Sequence, residues 1–158
     1  MGTHLLVDLY DVENSHALER LLSLERVMWD FTRQVAFTVL DTSGHQFSPQ
    51  GATCLFLLSE SHVSCHTWPE HRSCFIDVFC CSKDFDPSRA VNLLKEMFQT
   101  QTVCTRLVAR NKTGVADVQD HIEVGPRVDA VRLGRRLSVG TVQEDGAVDG
   151  VHTDCHSR

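Results

Sequence analysis

Apolar residues recur along this chain with two periods, and the switches between them mark out its elements. Thr3 to Tyr10 alternates as a strand. Asn14 or Ser15 can then cap a helix whose Leu18, Leu21, Leu22, Met28, Phe31 and Val35 recur near helical spacing and form one apolar face. Residues 34–41 alternate weakly as a second strand, Thr42-Ser43-Gly44 supplies turn residues, and His45-Gln46-Phe47-Ser48-Pro49-Gln50-Gly51 reads as a loop near a site. Three strands follow at 52–59, 62–68 and 73–81, with a turn around Pro69-Glu70-His71-Arg72. The run Thr53-Cys54-Leu55-Phe56-Leu57-Leu58 is too short to span a membrane and suits a strand covered on both faces. Asp86-Pro87 starts a second helix, because Asp accepts orphan N–H bonds and Pro is pre-set for the first turn. Ala90, Leu93, Leu94, Met97 and Phe98 mark its buried stripe, and residues 101–110 read as the last strand. The order β-α-β-β-β-β-α-β predicts an α+β fold, a two-layer sandwich of a largely antiparallel sheet with two helices on one face.

From Asn111 onward the pattern loosens. Gly114, Gly125, Gly134, Gly140, Gly146 and Gly150 recur among scattered Val and Leu. This predicts one compact domain over 1–110 and a solvated, partly disordered extension over 111–158. The basic run Arg132-Leu133-Gly134-Arg135-Arg136 is roughly balanced by acidic residues around it.

Composition narrows the function. The chain has 158 residues, 42% of them hydrophobic, enough for one domain with a core. A net charge of −6 argues against a nucleic-acid partner, which would need clustered Lys and Arg. The N-terminus has no basic n-region and Asp8 interrupts its apolar residues, so it does not read as a signal peptide. Gly2 does not make a myristoylation motif, since Leu6 stands where Ser or Thr is needed. Seven cysteines, odd in number and mostly set in apolar runs, are unlike a secreted disulfide framework. These features predict a cytoplasmic protein with no membrane partner, in which the sequon at Asn111 goes unread.

The densest chemistry lies in Glu60-Ser61-His62-Val63-Ser64-Cys65-His66-Thr67-Trp68-Pro69-Glu70, directly behind the apolar run. A serine hydroxyl at a strand end is a weak nucleophile until a base or strain activates it. On a regular strand His62, Ser64 and His66 share one face and Ser61 the other, so a Ser61–His66 pair needs a bend or a neighbouring strand. Spacing alone does not prove a Ser/His pair, because a histidine near a turn is usually structural. Cys65, His66, His71 and Cys74 offer soft ligands, but their spacing matches no standard zinc knuckle and Cys65 and His66 point apart. No metal is expected.

This eleven-residue stretch resembles the processing and active-site segment of the short prokaryotic-type S-adenosylmethionine decarboxylases. His4-Leu5-Leu6-Val7-Asp8 resembles that family's opening strand, and His45-Gln46-Phe47 with Pro49-Gln50-Gly51 resembles its first site loop. Asp77-Val78-Phe79-Cys80-Cys81-Ser82 with Asp86-Pro87 resembles its later one, so the similarity covers about residues 3–110. The resemblance implies self-cleavage between Glu60 and Ser61, leaving a β chain of 1–60 and an α chain from 61. Ser61 would attack the Glu60 carbonyl to give an ester, lose its α-proton and eliminate the Glu60 main-chain carboxylate, and the resulting dehydroalanine would hydrolyse, with loss of ammonia, to a pyruvoyl cofactor. That group forms a Schiff base with the substrate amine and takes up the electrons released with CO₂.

By the same resemblance, His66 assists processing, at the α-proton step, and Cys81 is the proton donor, a task suited to a thiol, which ordinarily titrates not far above neutrality. Phe47 stacks in the substrate pocket, Glu70 accepts from the ribose hydroxyls, and Thr53 supports processing. Three positions depart from the family pattern. Thr53 stands for a usual serine, Cys65 for an aliphatic residue, and Cys80-Cys81-Ser82 for Thr-Cys-Gly. The implied function is decarboxylation of S-adenosylmethionine to the aminopropyl donor for spermidine, by a homodimer whose protomers both line each site. Alternatives are a pyruvoyl-dependent arginine or ornithine decarboxylase, or an unprocessed homologue with a regulatory role.

Overall fold

A computed structural model describes residues 2–110 and 117–123. Seven strands form one sheet, β1 (Gly2–Tyr10), β2 (Val39–Gln46), β3 (Ala52–Leu58), β4 (Ser61–Trp68), β5 (Ser73–Cys80), β6 (Thr102–Arg110) and β7 (Asp117–Glu123), in the order β2-β3-β4-β5-β1-β6-β7. Every neighbouring pair is antiparallel. Three helices, α1 (Ser15–Glu19), α2 (Leu21–Gln34) and α3 (Pro87–Phe98), pack on the sheet, so the two-layer α+β sandwich read from the sequence holds.

The core lies between helices and sheet, and strand alternation builds it. Leu5, Val7 and Leu9 of β1, Cys54, Phe56 and Leu58 of β3, Val63 and Cys65 of β4, and Ile76 and Val78 of β5 are buried. Leu24, Met28 and Phe31 of α2 and Ala90, Leu94 and Phe98 of α3 meet them at helical spacing. The Asp86 carboxylate caps α3, accepting from the backbone N–H groups of Ser88 and Arg89 at 2.9 and 3.1 Å. The opposite sheet face is uncovered within the described residues and carries the reactive side chains.

Three elements differ from the sequence expectation. The first helix is broken at Arg20, whose φ of −125° and ψ of 129° are extended. The Gln46 side chain stands in for helical hydrogen bonds there: its amide oxygen accepts from Leu21 N–H at 2.7 Å, and its amide nitrogen donates to the Glu19 carbonyl at 3.0 Å. The second strand runs over Val39–Gln46 rather than 34–41, because α2 continues to Gln34. Thr42-Ser43-Gly44 therefore belongs to a strand, not a turn; β2 is an edge strand with a polar burial pattern, which conceals its alternation. Asp117–Glu123 adds β7 beyond β6, held by a bidentate pair from Arg106 to Asp120 at 2.7 and 3.1 Å and by a Lys95–Glu123 ion pair. The rest of the expected extension lies outside the described residues.

Candidate active site

Strand β4 carries the site, with a different set of groups at each end. At its start, a two-residue turn, Ser59-Glu60, joins β3 to β4, with Leu58 opposite Ser61. The turn is pinned from outside: Ser59 N–H donates to the Thr38 carbonyl at 2.9 Å, and Thr38 N–H donates to the Glu60 carboxylate at 3.2 Å. Burial opposes ionisation of that carboxyl, but bonds from Ser59, from Glu60's own N–H and from Thr38 together outweigh it and hold it below its ordinary value.

Immediately after the turn, Ser61 has φ 145°, a region that is almost reserved for glycine and costs a side-chain-bearing residue about 1–3 kcal/mol. Across the sheet Ser61 pairs with Cys80, and the next residue, Cys81, donates its backbone N–H to the Glu60 carbonyl at 3.0 Å. The Glu60–Ser61 peptide is thus strained on its nitrogen side and polarised at its oxygen. Cys81 is exposed, whereas Cys80 points into the core. Burial pushes the Cys80 thiol up, against a lowering contact from the Ser82 N–H, which lies 3.4 Å from its Sγ. Of the two adjacent thiols, Cys81 is thus the one open to solvent.

At the far end of β4 a pocket of about 340 Å³ is lined by Phe47, Gln50, Thr53, His66, Trp68 and Glu70. Thr53 on β3 and His66 on β4 are register partners, and the Thr53 hydroxyl oxygen lies 2.9 Å from His66 Nδ1. With Nδ1–H donating to that oxygen, Nε2 keeps the lone pair that can take a proton. Phe47 is 47% exposed and stacks edge-on with His45. Glu70 sits on a short 3₁₀ turn, Pro69–His71, that projects it at the pocket mouth.

The pocket floor is rigid for reasons the motif does not show. Gln46, besides bracketing Arg20, donates to the Phe47 and Gly51 carbonyls at 3.1 and 2.8 Å and fixes the loop that presents Phe47. Gly51 has φ 92°, and a Cβ there would meet the Thr67 carbonyl oxygen at 3.2 Å, so glycine is required. Buried Thr67 accepts from Ala52 N–H at 2.8 Å and donates to the Leu18 carbonyl at 2.7 Å. Gln46, Gln50, Thr67 and Trp68 were not picked out by sequence reasoning; the tight spacing of Gln46 to the Pro49-Gln50-Gly51 turn was the available signal.

The structure therefore brings together Glu60, Ser61 and Cys81, and separately Phe47, Thr53, His66 and Glu70, but it does not join the two groups. Ser61 and His66 are five residues apart on one strand, roughly 16 Å at strand rise. No bend brings them closer. The soft ligands considered for zinc are also kept apart: Cys65 and Cys74 are buried in the core while His66 faces the pocket.

Comparison with known proteins gives a consistent result. A family model described as S-adenosylmethionine decarboxylase matches residues 3–111. The S-adenosylmethionine decarboxylase proenzyme of Thermosipho melanesiensis is 33% identical over 103 residues, covering 65% of this chain and 78% of that protein. The proenzyme of Methanococcus maripaludis is 31% identical over 120 residues, 76% of this chain and 98% of its own. The crystal structure of the adenosylmethionine decarboxylase from Aquifex aeolicus VF5 superposes with a TM-score of 0.61 at 29% identity, over 68% of this chain and 88% of that one.

Proposed function

Because this chain belongs to the S-adenosylmethionine decarboxylase family, we propose that it is a proenzyme that cuts itself between Glu60 and Ser61 and then decarboxylates S-adenosylmethionine. The observation that carries this reading is the Glu60–Ser61 bond itself, strained at Ser61 and with its carbonyl already accepting the Cys81 N–H. Peptide bonds resist attack because resonance stabilises the ground state. Strain on one side and a donor on the carbonyl oxygen lower the barrier for the neighbouring hydroxyl. The relatives are themselves named proenzymes.

The residues present fit a pyruvoyl group made from Ser61. Such a group supplies a ketone that condenses with the substrate amine and accepts the electron pair released with CO₂. Around it, the exposed Cys81 thiol is placed next to the Ser61 register partner, where it can return a proton to the substrate α-carbon. The Phe47 ring offers a face for the adenine or the sulfonium, and the Glu70 carboxylate can accept from two adjacent hydroxyls.

Since the two half-sites lie at opposite ends of β4, a complete site needs a second copy. Two chains with open sheet faces together, related by a two-fold axis that crosses β4 at right angles, would set the Ser61 end of one β4 against the His66 end of the other. The open face suits this: Leu55, Leu57 and Trp68 expose 44%, 50% and 37% of their surface there. In this dimer His66 of one chain reaches the Ser61 α-proton of the other. The six described cysteines are all free thiols, which supports a reducing cytosol, where the product would serve as aminopropyl donor for spermidine.

The test is the intact mass of purified protein. Wild type is expected as two chains and Ser61→Ala as one; a wild-type chain that stays whole defeats the reading. Coexpressing Ser61→Ala with His66→Ala should restore cutting of the His66→Ala chain, since one site of the mixed dimer is intact. Failure of complementation defeats the shared site. CO₂ release from S-adenosylmethionine, and not from arginine or ornithine, checks the substrate.

A further inference from the structure

His62 is a reactive side chain that the reaction just described leaves without a task. On a regular strand its ring and the Ser61 side chain would project to opposite faces. Ser61 is not regular: at φ 145° the alternation is broken, and Ser61 Oγ lies 3.5 Å from His62 Nδ1. The ring is held in place by its cross-strand partners Leu57 and Phe79, with the Phe79 ring centroid 5.9 Å away. We propose that His62 is the general base of self-cleavage, taking the Ser61 hydroxyl proton in the first step; this rests on the reading of Glu60–Ser61 as the cut bond.

Within the same chain, Glu60, Cys80 and His66 are worse placed to act on the Ser61 hydroxyl. The Glu60 carboxylate is turned to the Thr38 N–H and held ionised by it and by Ser59. Cys80 is buried in the core, and His66 of the same chain is roughly 16 Å along the strand. His62 already lies at the edge of hydrogen-bond reach, and contacts of this kind are commonly long before the reacting geometry forms.

The step balances without a co-reactant. With Nε2 carrying its hydrogen, His62 Nδ1 takes the proton from Ser61 Oγ as Oγ bonds to the Glu60 carbonyl carbon. The carbonyl electron pair moves onto its oxygen, which the Cys81 N–H faces at 3.0 Å. As the C–N bond breaks, His62 delivers the proton to the departing Ser61 nitrogen. An ester and an amine result, and His62 is neutral again. His66 then acts in the later removal of the α-proton, so the two histidines serve successive steps.

Full-length chain made by cell-free synthesis, followed by intact mass over time, separates them. His62→Ala should slow cutting by about 10²–10⁴-fold, and hydroxylamine, which cleaves esters, should release nothing further because no ester accumulates. His66→Ala should instead accumulate the ester, so hydroxylamine releases a chain ending at Glu60. Added imidazole should speed cutting of His62→Ala. His62→Gln, which keeps a polar side chain of similar length, should be as slow and melt like Ser61→Ala, separating loss of the base from loss of fold. Cutting of either His62 variant within about threefold of wild type, an ester trapped in either, or no response of folded His62→Ala to imidazole overturns the proposal. A wild-type chain that never cuts would instead overturn the reading beneath it.

Discussion

Replacing Ser61 by glycine removes the hydroxyl needed for cutting and also the Cβ that makes its backbone costly. Replacing it by alanine removes the hydroxyl alone. Both variants stay uncut, so their difference isolates the strain stored at the bond. At φ 145° a side chain costs about 1–3 kcal/mol. Glycine forgoes that cost but loses about 0.5–1 kcal/mol to its greater freedom in the unfolded chain. Ser61→Gly should therefore be more stable than Ser61→Ala by about 1 kcal/mol and by no more than about 2.5 kcal/mol, which for a domain of this size corresponds to about 4 °C and at most about 10 °C in Tm. Thermal and urea melts of the two variants at one protein concentration provide the assay, the fixed concentration being needed if the chains pair. The Cys81 N–H to Glu60 carbonyl bond and the Thr38 contacts are backbone or Glu60 features and survive both changes. Equal melting, or a more stable alanine variant, would refute the claim that the uncut chain holds Ser61 under strain.

Thr53→Val keeps shape but removes the oxygen 2.9 Å from His66 Nδ1; cutting should slow about tenfold or more, Thr53→Ser should match or exceed wild type, and an unslowed valine variant sinks the role. Cys81→Ala leaves its backbone N–H on the Glu60 carbonyl, so intact mass should show cutting retained while decarboxylation falls about 10²–10⁴-fold; loss of cutting would mean the thiol acts earlier. Asp8, on the open face, has its carboxyl pushed up first by burial and then by the charge of Asp77, against a smaller lowering by Arg106. A raised folded value means that ionisation opposes folding: the stability is present while the carboxyl is protonated and is lost as pH rises through the folded value. Asp8→Asn should thus stabilise the chain at neutral pH but not below the ordinary carboxylate range, and urea midpoints showing equal gains at both would contradict this.

What could be read from sequence followed how far each element declares its partner. The strands β1, β3, β4 and β5 are legible because one face of each lies in the core, and α3 shows its cap and stripe within its own residues; the apolar run of β3 is nevertheless not covered on both faces as its sequence suggested, since Leu55 and Leu57 lie on the open face, 44% and 50% exposed. The edge strands β2 and β7 escaped because neither turns an apolar row toward the helices; Arg106–Asp120 and Lys95–Glu123 help to hold β7 instead. The break at Arg20 is invisible locally, since it depends on Gln46, about 25 residues further along the chain. At the site, the motif identified Ser61, His66 and Cys81 by type. Only the register showed that Ser61 meets Cys80 and that His66 meets Thr53, at opposite ends of one strand.

That separation has a physical consequence for how the chain can work. An inner strand, paired with β5 along its whole length and with β3 from Ser61 to His66, cannot fold back to bring Ser61 and His66 together. The groups that ready the bond, namely the positive φ of Ser61, the Cys81 N–H and His62, all lie at one end and are present in a single chain. The groups that would finish the conversion and hold the substrate, Thr53, His66, Phe47 and Glu70, lie at the other. Under the proposed reaction, ester formation would need only one chain, whereas loss of the α-proton and decarboxylation would need two. Processing should accordingly depend on protein concentration at its second step and not its first: below the pairing concentration, the hydroxylamine-sensitive ester should accumulate in wild type, and its absence there would show that the halves are not divided in this way.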